Sequence, residues 1–586
     1  MAFQVSPGVV VTERDLTTVV PNVATSIGAM AGQFQWGPVL ERVRITSENE
    51  LVQTFGEPDN ATAEYFWTAA NYLAYSNNLL VVRNTDATAR NAVVGDIAAN
   101  AATAVTVQNP TDYDSDLAAF TNQLFIAKYP SARGNSLKVI AVDGAGFAVI
   151  EGIASNARTP DQALFISSFD NAPGTSADVA ASGGSFDEMH VLVIDENGLF
   201  SGTANDVLER HSYVSKAIDA KRFDGSSNYI GNVLRNESKY VWLGEASKIT
   251  ESSVDLGRSA GQAKAGGTFK KINAADDAQK IIGGSLAGGD SGGLITAGQQ
   301  EEAYLLYEDA EIVDVSLIMA GPADPTTGKK IIDNIASVRK DCIAFVSPTK
   351  LSVVSAATNS QVTSIKAQKT AFGSSSYGVM DNAWKYQYDR YRDIFVNVPM
   401  NGDIAGLCAR TDLTNDAWFS PAGLTRGTIK NIVKSSWEPN KAQRDELYQA
   451  GVNPITTQQG AGVILFGDKT MQTTPTAFDR INVRRLFIVL EKAIAIAAKA
   501  MLFEFNDEFT RSQFVNIVSP FLREVQGRRG LTDFKVVCDS SNNTGQVIDT
   551  NNFVGDIFIK PNRSINFIQL NFIAARSDIS FSEIGG

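Results

Sequence analysis

The apolar and polar positions at the start of the chain read as an extended arm. Val9-Val10-Val11-Thr12 is a β-branched run that favours a strand, and Pro7-Gly8 before it suits the centre of a turn. Residues 16–21 show no helical spacing. An extended terminal segment cannot bury both of its faces alone, so this arm needs a sheet edge elsewhere. Residues 60–77 then place Phe66, Ala69, Ala70 and Leu73 on one face, the spacing of a half-buried helix. After an Asn77-Asn78 turn, the apolar run 79–83 reads as a buried strand. Helix followed directly by strand predicts a sheet covered by helices.

The pattern loosens after Asp86. Residues 87–121 are rich in Ala, Thr, Asn and Asp, and 170–186 and 283–298 are rich in Gly, Ser and Ala, with strands predicted at 123–128, 137–142 and 190–195. The α/β pattern returns from 311, with strands at 313–319 and 342–347 around a helix at 328–340. A helix at 480–503 carries Val483, Leu486, Phe487, Leu490, Ile494, Ala497, Ala498 and Met501 on a broad stripe, which predicts a central, buried position. The end is β again, at 534–538, 554–560 and 564–572, and Lys560-Pro561-Asn562-Arg563 supplies a turn.

These elements predict a mixed α/β (α+β), multidomain fold. An arm covers 1–20, and a middle α/β domain joins 21–86 with 303–455. A β-rich inserted domain spans 87–302, a C-terminal core spans 456–572, and a tail covers 573–586. No internal repeat of fixed period is visible. The 586 residues exceed what one hydrophobic core organises, in keeping with several domains.

Charge and composition narrow the class of function. The net charge is −13, from 51 Lys and Arg against 64 Asp and Glu, whereas a nucleic-acid coat gains affinity by neutralising phosphates. Three cysteines, Cys342, Cys408 and Cys538, have no close pair among them, against both a disulfide scaffold and a cysteine zinc site. Residues 1–8 lack the basic and apolar blocks of a secretion signal. The most apolar stretch, 483–503, carries Arg484, Arg485, Glu491, Lys492 and Lys499, too many charges for a membrane span.

Little in the sequence demands chemistry. Gly289-Asp290-Ser291-Gly292-Gly293 matches the surroundings of a serine-protease nucleophile, but that chemistry needs a histidine base and an orienting Asp. Only His190 and His211 are present, neither in a matching context, and the run lies in a Gly/Ser/Ala stretch that reads better as a loop. Gly328-Lys329-Lys330 lacks the upstream Gly and following Ser/Thr of a phosphate loop, and Gly283-Gly284-Ser285 lies in no clean strand-to-helix turn. The adjacent pairs Asp276-Asp277 and Glu301-Glu302 diverge on any regular element, so surface charge is the better reading. Trp384, Tyr386, Tyr388 and Tyr391, interleaved with Lys385, Arg390 and Arg392, could stack on single strands; in an acidic chain, packing at a domain or subunit seam is favoured. No catalytic residue, metal or cofactor is expected.

Several short runs, taken in order, are more specific than any one alone. They begin with Ser6-Pro7-Gly8 and the Val-rich arm, then Gly32-Gln33-Phe34-Gln35-Trp36-Gly37-Pro38 and Thr54-Phe55-Gly56-Glu57-Pro58. Later come Lys385-Tyr386-Gln387-Tyr388-Asp389, the run from Asp403-Ile404-Ala405-Gly406 through Arg410-Thr411-Asp412, and Ser420-Pro421-Ala422-Gly423. The last are Phe478-Asp479-Arg480-Ile481-Asn482 with Val483-Arg484-Arg485-Leu486-Phe487, and Arg563-Ser564-Ile565-Asn566-Phe567. Over roughly 1–86 and 311–573 the chain resembles the tail sheath proteins of contractile-tailed bacteriophages, most closely those of large lytic myoviruses. Residues 87–310 match poorly.

That resemblance implies a core of β-sheets flanked by helices and built from both chain ends, with an outward-facing, protruding insertion. It implies a virion protein of the phage tail, made and assembled in the host cytoplasm. Its subunits would form six-membered rings stacked helically around a tail tube, alongside tail tube, baseplate and tail terminator proteins. Contraction would drive the tube through the host envelope for genome delivery, with neither nucleic acid nor membrane insertion as a direct partner. Strand addition between copies would use Val9, Val10, Val11, Thr12 and Glu13 at one end and Ile565, Phe567, Ile568, Leu570 and Phe572 at the other. Alternatively the last strands complete their own sheet and the arm lies in 573–586. The basic positions Arg484, Arg485, Lys492 and Lys499 are candidates to face the tube. A sheath of a phage-derived bacteriocin or secretion particle, and more remotely a hydrolase built on Ser291, are the competing readings.

Overall fold

The computed structural model describes residues 24–95, 103–117, 120, 122–244, 256, 269, 282–357, 360–566 and 569. Two compact units emerge: Ala24–Arg410 with Ala422–Thr473, and a smaller one whose described part is Thr411–Pro421 and 474 onward.

In the larger unit, strand Gly28–Gln33 lies at the heart of a six-stranded sheet. The order is Gly378–Met380, Ile343–Val346, Leu317–Met319, Gly28–Gln33, Leu79–Asn84 and Arg42–Ile45. All neighbours run parallel except the Arg42–Ile45 edge. A parallel sheet needs cover on both faces, and every residue of Gly28–Gln33 is buried. The predicted helix is Ala63–Leu73, shorter than 60–77, and its Tyr72 hydroxyl donates to the Ser26 carbonyl at 2.6 Å. The predicted helix 328–340 is a continuous run from Pro325 to Arg339 with a π-type middle at Ile331–Ala336. Its Ile331, Ile332 and Ile335 pack into the core beneath Ile318 and Ala344.

The strands expected within 87–302 are present as Gln123–Ala127, Leu137–Asp143 and Glu188–Asp195. They belong to two antiparallel sheets, one of four strands ending in the long edge strand Asp206–Ser215, the other of three. Helices Gly144–Gly152 and Pro160–Ser168, unforeseen in the sequence, close an apolar pocket of Phe147, Ile150 and Phe165 over one face. A separate three-stranded sheet orders Ile394–Pro399, Trp384–Asp389 and Lys434–Ser435, and Ile455–Gln458 pairs with Gly462–Leu465.

The smaller unit packs helices Ile481–Lys499 and Glu508–Gly527 against one antiparallel hairpin, Leu531–Val537 with Asp556–Pro561. Leu486, Leu490 and Ile494 meet Phe514, Val518, Leu522 and Val525 at the helix seam, and Phe534, Val536, Ile557 and Ile559 close it from the sheet side.

Candidate functional site

The smaller unit's hairpin forms, among the described residues, a sheet of two strands. Along Asp556–Pro561 exposed and half-buried residues alternate strictly, as expected of a strand with one face on helices and one in solvent. Each strand pairs on one side, leaving an outer row of backbone N–H and C=O groups on both edges among the described residues. Such an edge is a template for another chain. Phe558 is exposed on the outward face, and Lys560 Nζ reaches Asp533 Oδ2 across the pair at 3.1 Å.

The predicted linking residues lie around this hairpin only in part. Ile565, just beyond it, is 81% exposed. Val9, Val10, Val11, Thr12 and Glu13 fall outside the described residues, as do Phe567, Ile568, Leu570 and Phe572.

The four basic positions on the helix Ile481–Lys499 do not form one outward face. Arg485 is buried and bidentate to Asp412, with Nη1–Oδ1 at 2.7 Å and Nη2–Oδ2 at 2.5 Å. Arg484 is buried with its guanidinium 3.9 Å from the Phe478 ring centroid. Lys492 is half-buried and Lys499 exposed. The reason is the width of the apolar stripe. It runs so far around the helix that Arg484 and Arg485, on the first turn, fall within the packed arc, where each needs an internal partner.

The larger unit holds a second construction, the joint between its sheet and the insertion. Arg83, next to last in the strand Leu79–Asn84, is fully buried and has no ion-pair partner among the described residues. It donates to the carbonyls of Phe34 at 2.9 Å, Gly37 at 2.7 Å and Pro130 at 2.7 Å, tying the Gly32–Pro38 run to the insertion. Burial holds its pKa down, to about 9. Gly37, at φ +99°, turns this segment where a Cβ would stand 2.8 Å from the Thr54 carbonyl, a conformation that favours glycine. The turn sends Trp36 into the insertion's own core, edge-on to Tyr129 at 5.5 Å and Phe200 at 5.0 Å.

The Ser291 pentapeptide is part of that same joint. The Ser291 hydroxyl accepts from Ala132 N at 3.1 Å and lies 3.4 Å from Ser131 Oγ. Gly289 exchanges two 2.8 Å hydrogen bonds with the Asn135 side chain, and Gln33 Nε2 donates to the Gly293 carbonyl at 2.9 Å. Both histidines are engaged elsewhere. His190 Nε2 is 2.9 Å from the Asn171 carbonyl, its Nδ1 accepts from Tyr213 N, and His211 lies 3.1 Å from Glu209. The loop stitches the end of the insertion to its beginning.

The aromatic–basic run 384–392 mixes buried positions with exposed ones. Trp384 is buried with Nε1 donating to the Pro348 carbonyl at 2.6 Å, and Tyr391 meets the Phe66 ring at 5.6 Å. Lys385 and Asp403 form a fully buried pair at 2.9 Å. Burial pushes the Asp403 carboxyl up and the Lys385 ammonium down, each toward neutrality, while their contact opposes both shifts. Asp381, also fully buried, accepts from Ser347 Oγ at 2.6 Å and Ala383 N at 2.9 Å. Burial, helped by the Asp403 charge, pushes its pKa up to about 7. Among the described residues no group of three or more His, Cys, Asp or Glu could hold a metal ion, and no helix is long and apolar enough to cross a membrane.

Comparison with known proteins places the chain. The families described as phage tail sheath protein central domain, phage tail sheath C-terminal domain and tail sheath protein Gp18 domain III N-terminal region match residues 308–471, 473–575 and 25–83. The tail sheath protein of Enterobacteria phage T4 is 33% identical over 660 aligned residues, covering 99% of each chain. That of Vibrio phage KVP40 is 34% identical over 669, again covering 99% of each. The crystal structure of a sheath tail protein from Listeria innocua shares the fold, with a TM-score of 0.51 at 12% identity over 92% of this chain and 96% of that one.

Proposed function

Because this chain belongs to the phage tail sheath protein family, we propose that it is the polymer-forming subunit of a contractile tail sheath and acts without catalysis. In the virion it stacks as six-membered rings around the tail tube, bounded by baseplate and terminator, after assembly in the host cytoplasm. Contraction drives the tube through the host envelope. The ends, near Val9–Val11 and Ile565, add strands to hairpins of neighbouring copies, while the insertion stands outward.

The observation that carries this reading is the two-stranded sheet, unpaired on both edges among the described residues. Strand addition gives affinity through main-chain hydrogen bonds and tolerates rotation of the bodies it joins. A five-residue added strand contributes a few kcal/mol, at about 1 kcal/mol per bond. Summed along a polymer, a small difference between two lattice states suffices to drive shortening without nucleotide hydrolysis.

Electron microscopy of the purified full chain tests the class. Ringed tubes are expected at concentrations where a monomer of this size would stay dispersed. Particles that remain single at every concentration and ionic strength refute it.

A further inference from the structure

Phenylalanines project into solvent from one short stretch of the smaller unit. Phe503 and Phe505, between helices Ile481–Lys499 and Glu508–Gly527, are 104% and 83% exposed, and Phe509, on the first turn of the second helix, is 72% exposed. Leu502 beside them is 62% exposed. Four large apolar side chains exposed to this degree within eight residues point to a contact site. Phe503 sits at φ +72°, a conformation unusual for an aromatic residue. Glu504 and Glu508 are exposed between the rings, neither with an ion-pair partner among the described residues, while Asp507 is used to cap the helix through Thr510 N at 2.8 Å.

The larger unit carries a surface of the opposite character. On the outward face of the sheet Trp384–Asp389/Ile394–Pro399, Phe395 stacks on Tyr386 at 5.2 Å and meets Tyr388 at 5.5 Å. Tyr388 and Phe395 are 47% and 49% exposed. Lys434, exposed on the third strand, holds Nζ 5.2 Å from the Tyr386 ring centroid. Asp393, at the edge of the same face, accepts the Tyr388 hydroxyl at 2.8 Å.

We propose that the acidic, phenylalanine-bearing stretch 502–509 of one copy docks on this aromatic, lysine-topped sheet face of a second copy. The inference rests on the homopolymer reading above and names a contact within it, separate from strand addition. Rings meet rings edge to face, and Glu504 and Glu508 approach Lys434. Each copy offers one of each surface, so the contact is head-to-tail. Such contacts do not stop at a dimer but continue as rings or helices, which is what a sheath requires of its occupant.

Two variants test it on the full chain. In the first, Phe505→Cys and Phe395→Cys are combined; the native cysteines are buried. Oxidation of assembled tubes is expected to give a ladder of covalent multimers that needs both new cysteines. In the second, Glu504→Lys with Glu508→Lys lowers tube yield about tenfold by setting like charges together, and adding Lys434→Glu restores it. Normal tubes without a ladder, a crosslink that closes within one chain, or charge reversal without effect on yield overturns the docking and leaves the homopolymer standing. A wild-type chain that forms no tubes sinks both.

Discussion

Replacing Asp381 by Asn should stabilise the protein at neutral and alkaline pH and remove a slope from its pH profile. Asp381 is fully buried, and its pKa is pushed from 3.8 up to about 7 by burial first and by the Asp403 charge after. Lys385 is already paired with Asp403 at 2.9 Å, so ionised Asp381 adds a second buried negative charge with no cation of its own. Between those two values the folded state holds a proton that the unfolded chain has released. Unfolding free energy therefore falls as pH rises through this window and is flat above it. At about 1.4 kcal/mol per tenfold change in proton affinity, the ionised group costs about 4 kcal/mol at pH 8. Asn keeps a carbonyl for Ala383 N but turns its amide toward the Ser347 hydroxyl, a loss of about 1 kcal/mol. The expected net gain is about 3 kcal/mol at pH 8, shrinking to nothing or slightly negative near pH 4. Urea denaturation of both proteins from pH 4 to 8 measures the difference directly. A difference that stays constant across that range refutes the reasoning, because a mere packing or hydrogen-bond change has no reason to titrate.

Other expectations are simpler. Arg485→Ala leaves Asp412 buried and unpaired and should cost about 3–5 kcal/mol, read as a lower denaturation midpoint; a shift under about 1 kcal/mol would show that Asp412 is solvated. Trp36→Ala empties the insertion's core, with a cost of about 3–5 kcal/mol. Its signature is faster amide exchange in strands Gln123–Ala127 and Leu137–Asp143, with the smaller unit's helices unchanged. Ser291→Ala removes one acceptor from Ala132 N, worth about 1 kcal/mol, and should leave tube formation intact, whereas a serine nucleophile would be indispensable to any hydrolase.

Much of the fold was legible from apolar spacing. The run 79–83 and the helix beside it came through because a fully buried parallel strand is continuous in sequence. The helix Glu508–Gly527 was missed although Phe514, Val518, Leu522 and Val525 mark its buried face, since Pro520 inside it reads as a breaker. The edge strand Asp206–Ser215 hides behind Glu209, Arg210 and His211, polar residues that interrupt its apolar pattern, although His211 and Glu209 are turned in and meet at 3.1 Å. The candidate surfaces were harder to see. A basic helix face was expected from Arg484 and Arg485, yet both charges turn inward to Asp412 and Phe478, partners that no spacing within the helix reveals. Arg83 gave one usable signal, a lone cation ending a run of four apolar residues. Its partners are backbone carbonyls brought together only by the fold, so its role as a joint could not be read in advance.

If, as proposed, the chain ends complete sheets in neighbouring copies, a chain without them cannot assemble. Deleting residues 1–20 and 564–586 together and imaging the purified product by electron microscopy tests it most directly. Folded but unassembled subunits, with secondary structure close to that of the full chain by circular dichroism, are the predicted result. Sleeves of ordinary length from the shortened chain would contradict it.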